Sequence, residues 1–450
     1  MNSTDLAQRI DSLMPRARQE LAELVSIRSV ADARQFPPEE CERAAQWVLE
    51  AFADVGFDDI GLHETADGSK AVVGSRPAPD PQAPTVLLYA HYDVQPPLND
   101  SAWPTPPFEL TEVDGRWFGR GAADCKGNIV MHLAALRALG DDVPVNLKLV
   151  VEGSEEQGTG GLEDFVPKQA DLLRADAILV CDTGNAAVGE PAVTVSLRGM
   201  ANVVVHVEAL PSEMHSGMFD GPAPDALAAL VQMLASWRDA DGNTTVQGLR
   251  SDQTWTGAPY DPDAFRSDAG LSASESLLGS GSVSDMLWAR PALTILGIDC
   301  PPVLGSTAAI VPRASARLNL RIPPGTDPGQ AEEALVAHLR AAAPWGVTVT
   351  TEVEASGSPF RADTDGPAYA AMRRAMSTAY GREMALLGQG GSIPLCNVFA
   401  ETYPDAELIL MGVEEPLALI HAPNESVDPG EIARLATAEA AFLQEYAKSF

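Results

Sequence analysis

Five short stretches of this chain carry imidazole or carboxylate side chains where an apolar run stops, and those are the groups that bind cations and move protons. The first is Thr85-Val86-Leu87-Leu88-Tyr89-Ala90-His91-Tyr92-Asp93. An apolar run of this length, bounded by Pro84 and by Pro96-Pro97, reads as a buried strand. A strand that ends in His-x-Asp sets both groups at the C-terminal edge of a sheet, where open α/β folds build their sites. His91 can bind a metal, and Asp93 can stand behind it to fix the imidazole tautomer.

The other four stretches are each ambiguous alone. Gly119-Arg120-Gly121-Ala122-Ala123-Asp124-Cys125-Lys126-Gly127 puts Asp124 in a glycine-rich turn ahead of a helix, where it is either a helix cap or a ligand. Val150-Val151-Glu152-Gly153-Ser154-Glu155-Glu156 places two adjacent acids after an apolar strand. Adjacent acids repel, so the pair makes sense if a cation draws one in and the other transfers a proton. Asp182 ends the strand Ile178-Leu179-Val180-Cys181 and is either a turn former or a ligand. His421, in His421-Ala422-Pro423-Asn424-Glu425, is either a solvent-facing loop histidine or a ligand. Together, His91, Asp124, Glu156, Asp182 and His421 form a nitrogen and oxygen set that suits zinc, with manganese or cobalt as alternatives. The set is large enough for two metals ~3.5–4 Å apart if one carboxylate bridges them.

Positioning these groups needs a layered α/β scaffold. Helices are expected from Ser3 or Thr4 to about Ser26, over 38–55 and over 128–139. Strands are expected at 71–74, 86–89, 146–151 and 177–181, while Trp117-Phe118-Gly119 reads as the start of a loop. Near Pro191 the pattern changes. Val193, Val195 and Leu197 alternate, as do Val203, Val205 and Val207, which is the period of half-exposed antiparallel strands. A helix at 224–237, a poorly patterned Gly/Ser/Asp/Thr-rich section to about Ser284, a strand at 318–322, a helix at 328–342 and a strand at 347–353 follow. This predicts a catalytic α/β domain from residues 1–190 and 356–450, with a smaller α+β domain, 191–355, inserted in it. Within the last segment a helix is expected at 368–380, a strand at 408–411 and a final helix from about Pro429.

The length of 450 residues agrees with two domains. With 63 acidic against 30 basic residues the formal charge is −33, a field that repels nucleic acid and anionic membranes. Met1-Asn2-Ser3-Thr4-Asp5 lacks the features of a signal peptide, and no apolar run is long enough for a transmembrane helix. Five scattered cysteines without a CxxC pair fit free thiols in a reducing compartment, so a cytoplasmic protein is expected.

The motifs His91-Tyr92-Asp93-Val94-Gln95-Pro96, 119–127, Glu155-Glu156, Asp182, Gly390-Gly391-Ser392-Ile393-Pro394 and His421 closely resemble, in order and spacing, the co-catalytic zinc peptidase and deacylase family. The likeness spans nearly the whole chain and favours the carnosinase and cytosolic nonspecific dipeptidase branch. It implies that His91 and Asp182 bind one metal, Glu156 and His421 the other, and that Asp124 bridges them. It also implies that Asp93 hydrogen-bonds His91 and that Glu155 is the general base for a water held between the metals. By the same resemblance the inserted domain is a lid and dimerisation domain. Its Glu213-Met214-His215-Ser216-Gly217 resembles the motif whose histidine stabilises the oxyanion from the partner subunit, so a homodimer is expected. Arg321 would pair with the substrate's terminal carboxylate, and Gly390-Gly391-Ser392 would let the substrate backbone approach. Cys125 stands where relatives more often carry another acid. The function implied is hydrolysis of dipeptides or similar small amides bearing a free carboxylate. An N-acyl-amino-acid deacylase with the same machinery, or an inactive metal-binding homologue, are the alternatives.

Overall fold

The computed structural model describes residues 3–450, and Met1 and Asn2 lie outside the described residues. The chain divides into two compact units. The first comprises the chain up to Val195 with Ala362–Leu387 and Leu395–Phe450, and the second comprises Ser196–Arg361 with Gly388–Pro394.

The first unit is built on a mixed sheet. Its strands lie in the order Asp59–Glu64, Lys70–Arg76, Asn146–Glu152, Thr85–His91, Ala177–Cys181, Glu407–Met411 and Ala192–Leu197. The four from Asn146–Glu152 to Glu407–Met411 run parallel, while the outer pairings are antiparallel. From Val86 to His91 every residue is buried. Successive side chains of a strand point to opposite faces, so both faces of this sheet are covered, which is why the strand reads as a continuous apolar run. The parallel strands end together at His91, Glu152, Cys181 and Met411, and the residues that follow each end share one edge.

The helices Ser3–Ser26, Lys126–Leu139, Pro429–Tyr446 and Pro367–Tyr380 pack against one another beside the sheet. Lys126–Leu139 is buried on nearly all sides. Even its first residue is inside: the Lys126 ammonium donates to the carbonyls of Leu24 (2.9 Å) and Ile27 (2.8 Å), at the end of the Ser3–Ser26 helix. Each of those carbonyls also accepts one backbone N–H, from Ile27 and from Ser29 respectively, and a cation suits the negative end of a helix dipole.

Three elements differ from the sequence reading. Trp117 and Phe118 do not begin a loop. Arg116–Phe118 is a strand, paired with Thr111–Val113 and with Ser426–Val427 just beyond His421. Ala192–Leu197 belongs with the large sheet, Thr194 pairing with Leu410, so the alternation of valines reported strand period but not which sheet the strand joins. Ala292–Asp299 is a strand that the reading omitted, because its exposed half, Thr294 to Asp299, shows no alternation of burial.

The second unit is an antiparallel sheet in the order Ala292–Asp299, Arg313–Ile322, Gly199–Glu208 and Thr348–Gly357. Gly199, Ala201, Val203, Val205 and Val207 face inward in strict alternation. They pack under the helices Ala226–Ala235 and Pro328–Ala341, whose Leu230, Met233, Leu335 and Leu339 complete the core. Asp225 and Asp327 cap those helices through their side chains. Among the described residues no helix is long and apolar enough to cross a membrane.

Candidate metal centre

The shared edge of the parallel strands brings the candidate ligands of the first unit together. Asp124 is the centre of the arrangement. One of its oxygens, Oδ1, lies 2.9 Å from Nε2 of His91, and the other, Oδ2, lies 2.9 Å from Nε2 of His421. His91 Nε2 is also 3.1 Å from Asp182 Oδ1, and His421 Nε2 is 3.1 Å from Glu156 Oε2. Two imidazole–carboxylate pairs therefore share one aspartate, each pair using a different oxygen of it. Asp124 does not cap the following helix, which starts without a side-chain cap after Cys125.

The support beneath these groups explains how like charges are held together. His91 is fully buried, and its Nδ1 lies 3.0 Å from the main-chain oxygen of Asp93 and 3.4 Å from the Asp93 carboxylate. The backbone oxygen is thus the nearer partner, where the sequence reading expected the carboxylate. The Asp93 carboxylate has a second use. Its Oδ1 accepts the backbone N–H of Glu155 (3.2 Å) and its Oδ2 that of Glu156 (3.1 Å), anchoring the turn that displays both acids.

Glu425 does the same for Asp124. Its Oε2 accepts the N–H of Gly121 and an Arg120 guanidinium N–H, at 2.9 and 2.7 Å. Its Oε1 accepts the N–H of Ala123 and Asp124, at 3.0 and 3.1 Å. The sequence reading quoted Glu425 without giving it a role, and its spacing from His421 was the available signal. Glu414 was missed as well. It follows the Glu407–Met411 strand as Glu155 follows Asn146–Glu152, it is buried, and a carboxylate oxygen of it comes within reach of Asp124 and Asp182.

The electrostatics follow from this crowding. Burial pushes Asp124 upward, but hydrogen bonds from His421 and His91 outweigh it and hold the carboxyl well below its usual range. Glu155 makes no contact with either histidine's ring nitrogens. Burial first, and then the charge of Asp182, push it well above the ordinary carboxylate value. His421 is pushed up to about 11 by Asp124 and Glu156. Two imidazoles facing three carboxylates are a set in which cations neutralise the acids, and divalent ions can take the place of the imidazole protons. The donor atoms cluster as such ions need: those of Asp124, Glu156 and His421 all lie within 4.8 Å of one another, and so do those of His91, Asp182 and Cys125.

Two neighbouring groups are structural. The Cys125 thiol is buried, pushed up by that burial, and donates to the Cys181 carbonyl at 2.9 Å. His132 uses both ring nitrogens, toward Glu439 (2.7 Å) and the Tyr89 carbonyl (3.4 Å), linking two helices and the central strand.

The remaining candidates belong to the second unit. His215 is exposed and pairs with Ala309 in a two-residue strand. Arg321 is half-buried on Arg313–Ile322, in register with Met200 and Ala292. A Cβ on Gly391 would meet nothing within 4 Å, and a Cβ on Gly357 would lie 3.6 Å from the Ser392 hydroxyl.

Comparison with known proteins agrees with this architecture. The chain is 42% identical over 436 residues to the cysteinylglycine-S-conjugate dipeptidase of Corynebacterium striatum, covering 96% of this chain and 95% of that one. It is 29% identical over 464 residues to a human Beta-Ala-His dipeptidase, covering 97% and 87% of the two chains. The crystal structure of human carnosine dipeptidase 1 superposes with a TM-score of 0.80 at 26% identity, over 100% of this chain and 99% of that one. Residues 87–445 match Peptidase family M20/M25/M40, and the chain belongs to that family.

Proposed function

We propose that this chain is a metal-dependent dipeptidase that hydrolyses the amide bond of small substrates carrying a free carboxylate. The observation that carries this reading is the pair of imidazole–carboxylate contacts sharing Asp124, with Glu155 held beside them and outside both pairs. His91 and Asp182 would hold one divalent ion, His421 and Glu156 a second, and Asp124 would bridge them. Zinc suits the donors best, and manganese and cobalt are compatible with them. When bound, such ions lower the pKa of water and polarise the scissile carbonyl. Glu155 takes the proton from the attacking water and returns it to the leaving amine. Its raised pKa places its proton affinity nearer neutrality, where a general base and acid works in both directions.

The working form is a cytoplasmic homodimer in this reading. The edge strand Ala292–Asp299 leaves one side unpaired and exposes Ile295, Leu296 and Ile298, an arrangement that solitary sheets avoid. His215 would complete the partner's site by stabilising the oxyanion, and Arg321, Gly391 and Ser392 would hold the substrate's carboxylate end. That the relatives are named as dipeptidases supports a peptide, rather than an acyl amino acid, as the substrate of this chain.

The test is hydrolysis of a dipeptide panel by metal-stripped protein with zinc, manganese or cobalt restored, N-acetylornithine being assayed alongside. Metal-restored dipeptide cleavage is expected. Faster turnover of N-acetylornithine would replace the dipeptidase by a deacylase.

A further inference from the structure

The adjacent acids Glu414 and Glu415 follow the strand Glu407–Met411 and are both buried, but only one of them is compensated. Glu415 accepts an N–H of the Arg116 guanidinium at 2.5 Å and the backbone N–H of Leu417 at 2.8 Å. Glu414 is 6% exposed, and its Oε1 is buried without a hydrogen-bond partner. The charges that act on it most are the carboxylates of Asp124 and Asp182, the imidazole of His91 and the carboxylate of Glu425. A carboxylate oxygen buried among other carboxylates without a donor is costly, and a cation beside it removes that cost.

The backbone is arranged to put this side chain there. Glu407–Met411 runs parallel to Ala177–Cys181, and the pairing continues past both strand ends. The Asp182 N–H donates to the Met411 carbonyl at 3.1 Å, and the Asn185 N–H to the Glu414 carbonyl at 2.9 Å. A Cβ on Gly184 would lie 2.1 Å from the Glu414 carbonyl oxygen, and one on Gly412 would lie 2.2 Å from that of Thr183, so only glycine lets the two segments meet. On the other side the Val413 N–H donates to Asn128 Oδ1 at 2.9 Å, in the helix Lys126–Leu139 that starts just after Asp124. Residues 412–414 are thus fastened both to the segment carrying Asp182 and to the helix behind Asp124. One carboxylate oxygen from each of Glu414, Asp124 and Asp182 lies within 4.8 Å of the other two, and among the described residues no such group joins Glu414 to Glu156 or His421.

We infer that Glu414 is a further ligand of the divalent ion assigned to His91 and Asp182, so that the two ions sit in unequal sets, one richer by a carboxylate. This rests on the two-ion reading of the centre and not on which bond is hydrolysed. Asp182, Glu414, Asp124 and His91 offer more oxygen than Glu156, Asp124 and His421, and added oxygen ligands favour manganese relative to zinc.

Metal binding without turnover tests it. Metal-stripped protein is dialysed against manganese(II) or zinc(II) buffered by a chelator, and bound metal is read by elemental analysis. The parent is expected to bind two ions. Glu414→Gln should weaken one of them by about 10–100-fold and leave the other within about threefold, with the larger loss for manganese. In an Asp182→Ala background, Glu414→Gln should change the remaining ion by less than about threefold. Glu414→Asp keeps the charge but withdraws the carboxylate by one methylene, and should lose about as much as Glu414→Gln. Parent-like affinity in Glu414→Asp would mean that Glu414 acts through its field alone, and equal weakening of both ions by Glu414→Gln would mean the same; either overturns the inference. Should Glu414→Gln fail to fold by circular dichroism, Glu414→Asp decides. A parent with no Glu414-dependent ion overturns the inference whatever it cleaves. A parent that binds two ions in the expected pattern but cleaves no dipeptide removes the dipeptidase reading and leaves the ligand assignment standing.

Discussion

The Asp93 carboxylate lies 3.2 Å from the backbone nitrogen of Glu155, while the Asp93 main-chain oxygen lies 3.0 Å from Nδ1 of His91. One residue therefore orients an imidazole with its backbone and aims the neighbouring acid pair with its side chain. The carboxylate also lies 3.4 Å from that imidazole nitrogen, so removing it should loosen both. Asp93→Ala is expected to lower divalent metal affinity by about 10–100-fold, the usual cost of losing a group that orients a ligand. It should also lower kcat at saturating metal, because Glu155 loses its anchor. Chelator competition measures the first effect and saturation kinetics the second. A change in metal affinity with kcat restored in full by excess metal would mean that the Glu155 turn holds its place without Asp93.

Glu155→Gln isolates proton transfer from metal binding. Glu155 is outside both histidine pairs, so the metal content of the variant should equal that of the parent. Its kcat should fall by about 10²–10⁴-fold, the usual contribution of a general acid–base group. Elemental analysis and turnover on the same sample give the answer. Loss of metal in step with activity would make Glu155 a ligand.

Much of this centre was readable because metal chemistry leaves a local pattern. Each candidate ligand except His421 follows an apolar strand or precedes a helix, and burial on both faces of the sheet made those strands continuous apolar runs. What was not readable is the support. Glu425 reaches Asp124 across 301 positions of chain, and nothing in its neighbourhood reports that the glycine-rich turn will fold over it. Asp93 was read as the support of His91, and its carboxylate does lie 3.4 Å from Nδ1, but its second hold, on the Glu155-Glu156 turn, leaves no local pattern. Trp117 and Phe118 were read as loop because a strand of three residues is too short to show a period.

Glu425 gives a sharp energetic prediction. It holds four donors, and the side chains of both it and Arg120 are 1% exposed. Glu425→Ala would leave Arg120 buried and uncompensated, which costs about 3–5 kcal/mol. Arg382 and Glu190 form an ion pair at the same 2.7 Å, but with side chains 60% and 55% exposed. Arg382→Ala should cost no more than about 1 kcal/mol. Urea denaturation of the two variants beside the parent makes the comparison, and similar losses would show that Arg120 finds water or another acceptor.

Asp67 supplies a prediction about pH. Its carboxylate accepts from the Thr65 hydroxyl (2.6 Å), the Ser69 N–H (3.0 Å) and the Thr159 hydroxyl, tying the turn before Lys70–Arg76 to the segment just after Glu155-Glu156. Burial raises its pKa, but the hydrogen bonds from Thr159, Thr65 and Ser154 prevail and hold it well below the usual carboxylate value. A group whose folded pKa is depressed makes the unfolded chain the better proton binder, so stability rises with pH across the interval between the two values. The stabilisation is therefore complete above the ordinary carboxylate pKa of about 4 and is lost as the pH falls below it toward the folded value. Asp67 is largely open to solvent, which screens the effect, so Asp67→Ala should cost about 1 kcal/mol at pH 7. Denaturation curves of parent and variant should converge as the pH is lowered from about 5 to 2, the parent losing more than the variant. A gap that stays constant over that range would mean that Asp67 contributes through packing against Gly161 and not through its charge.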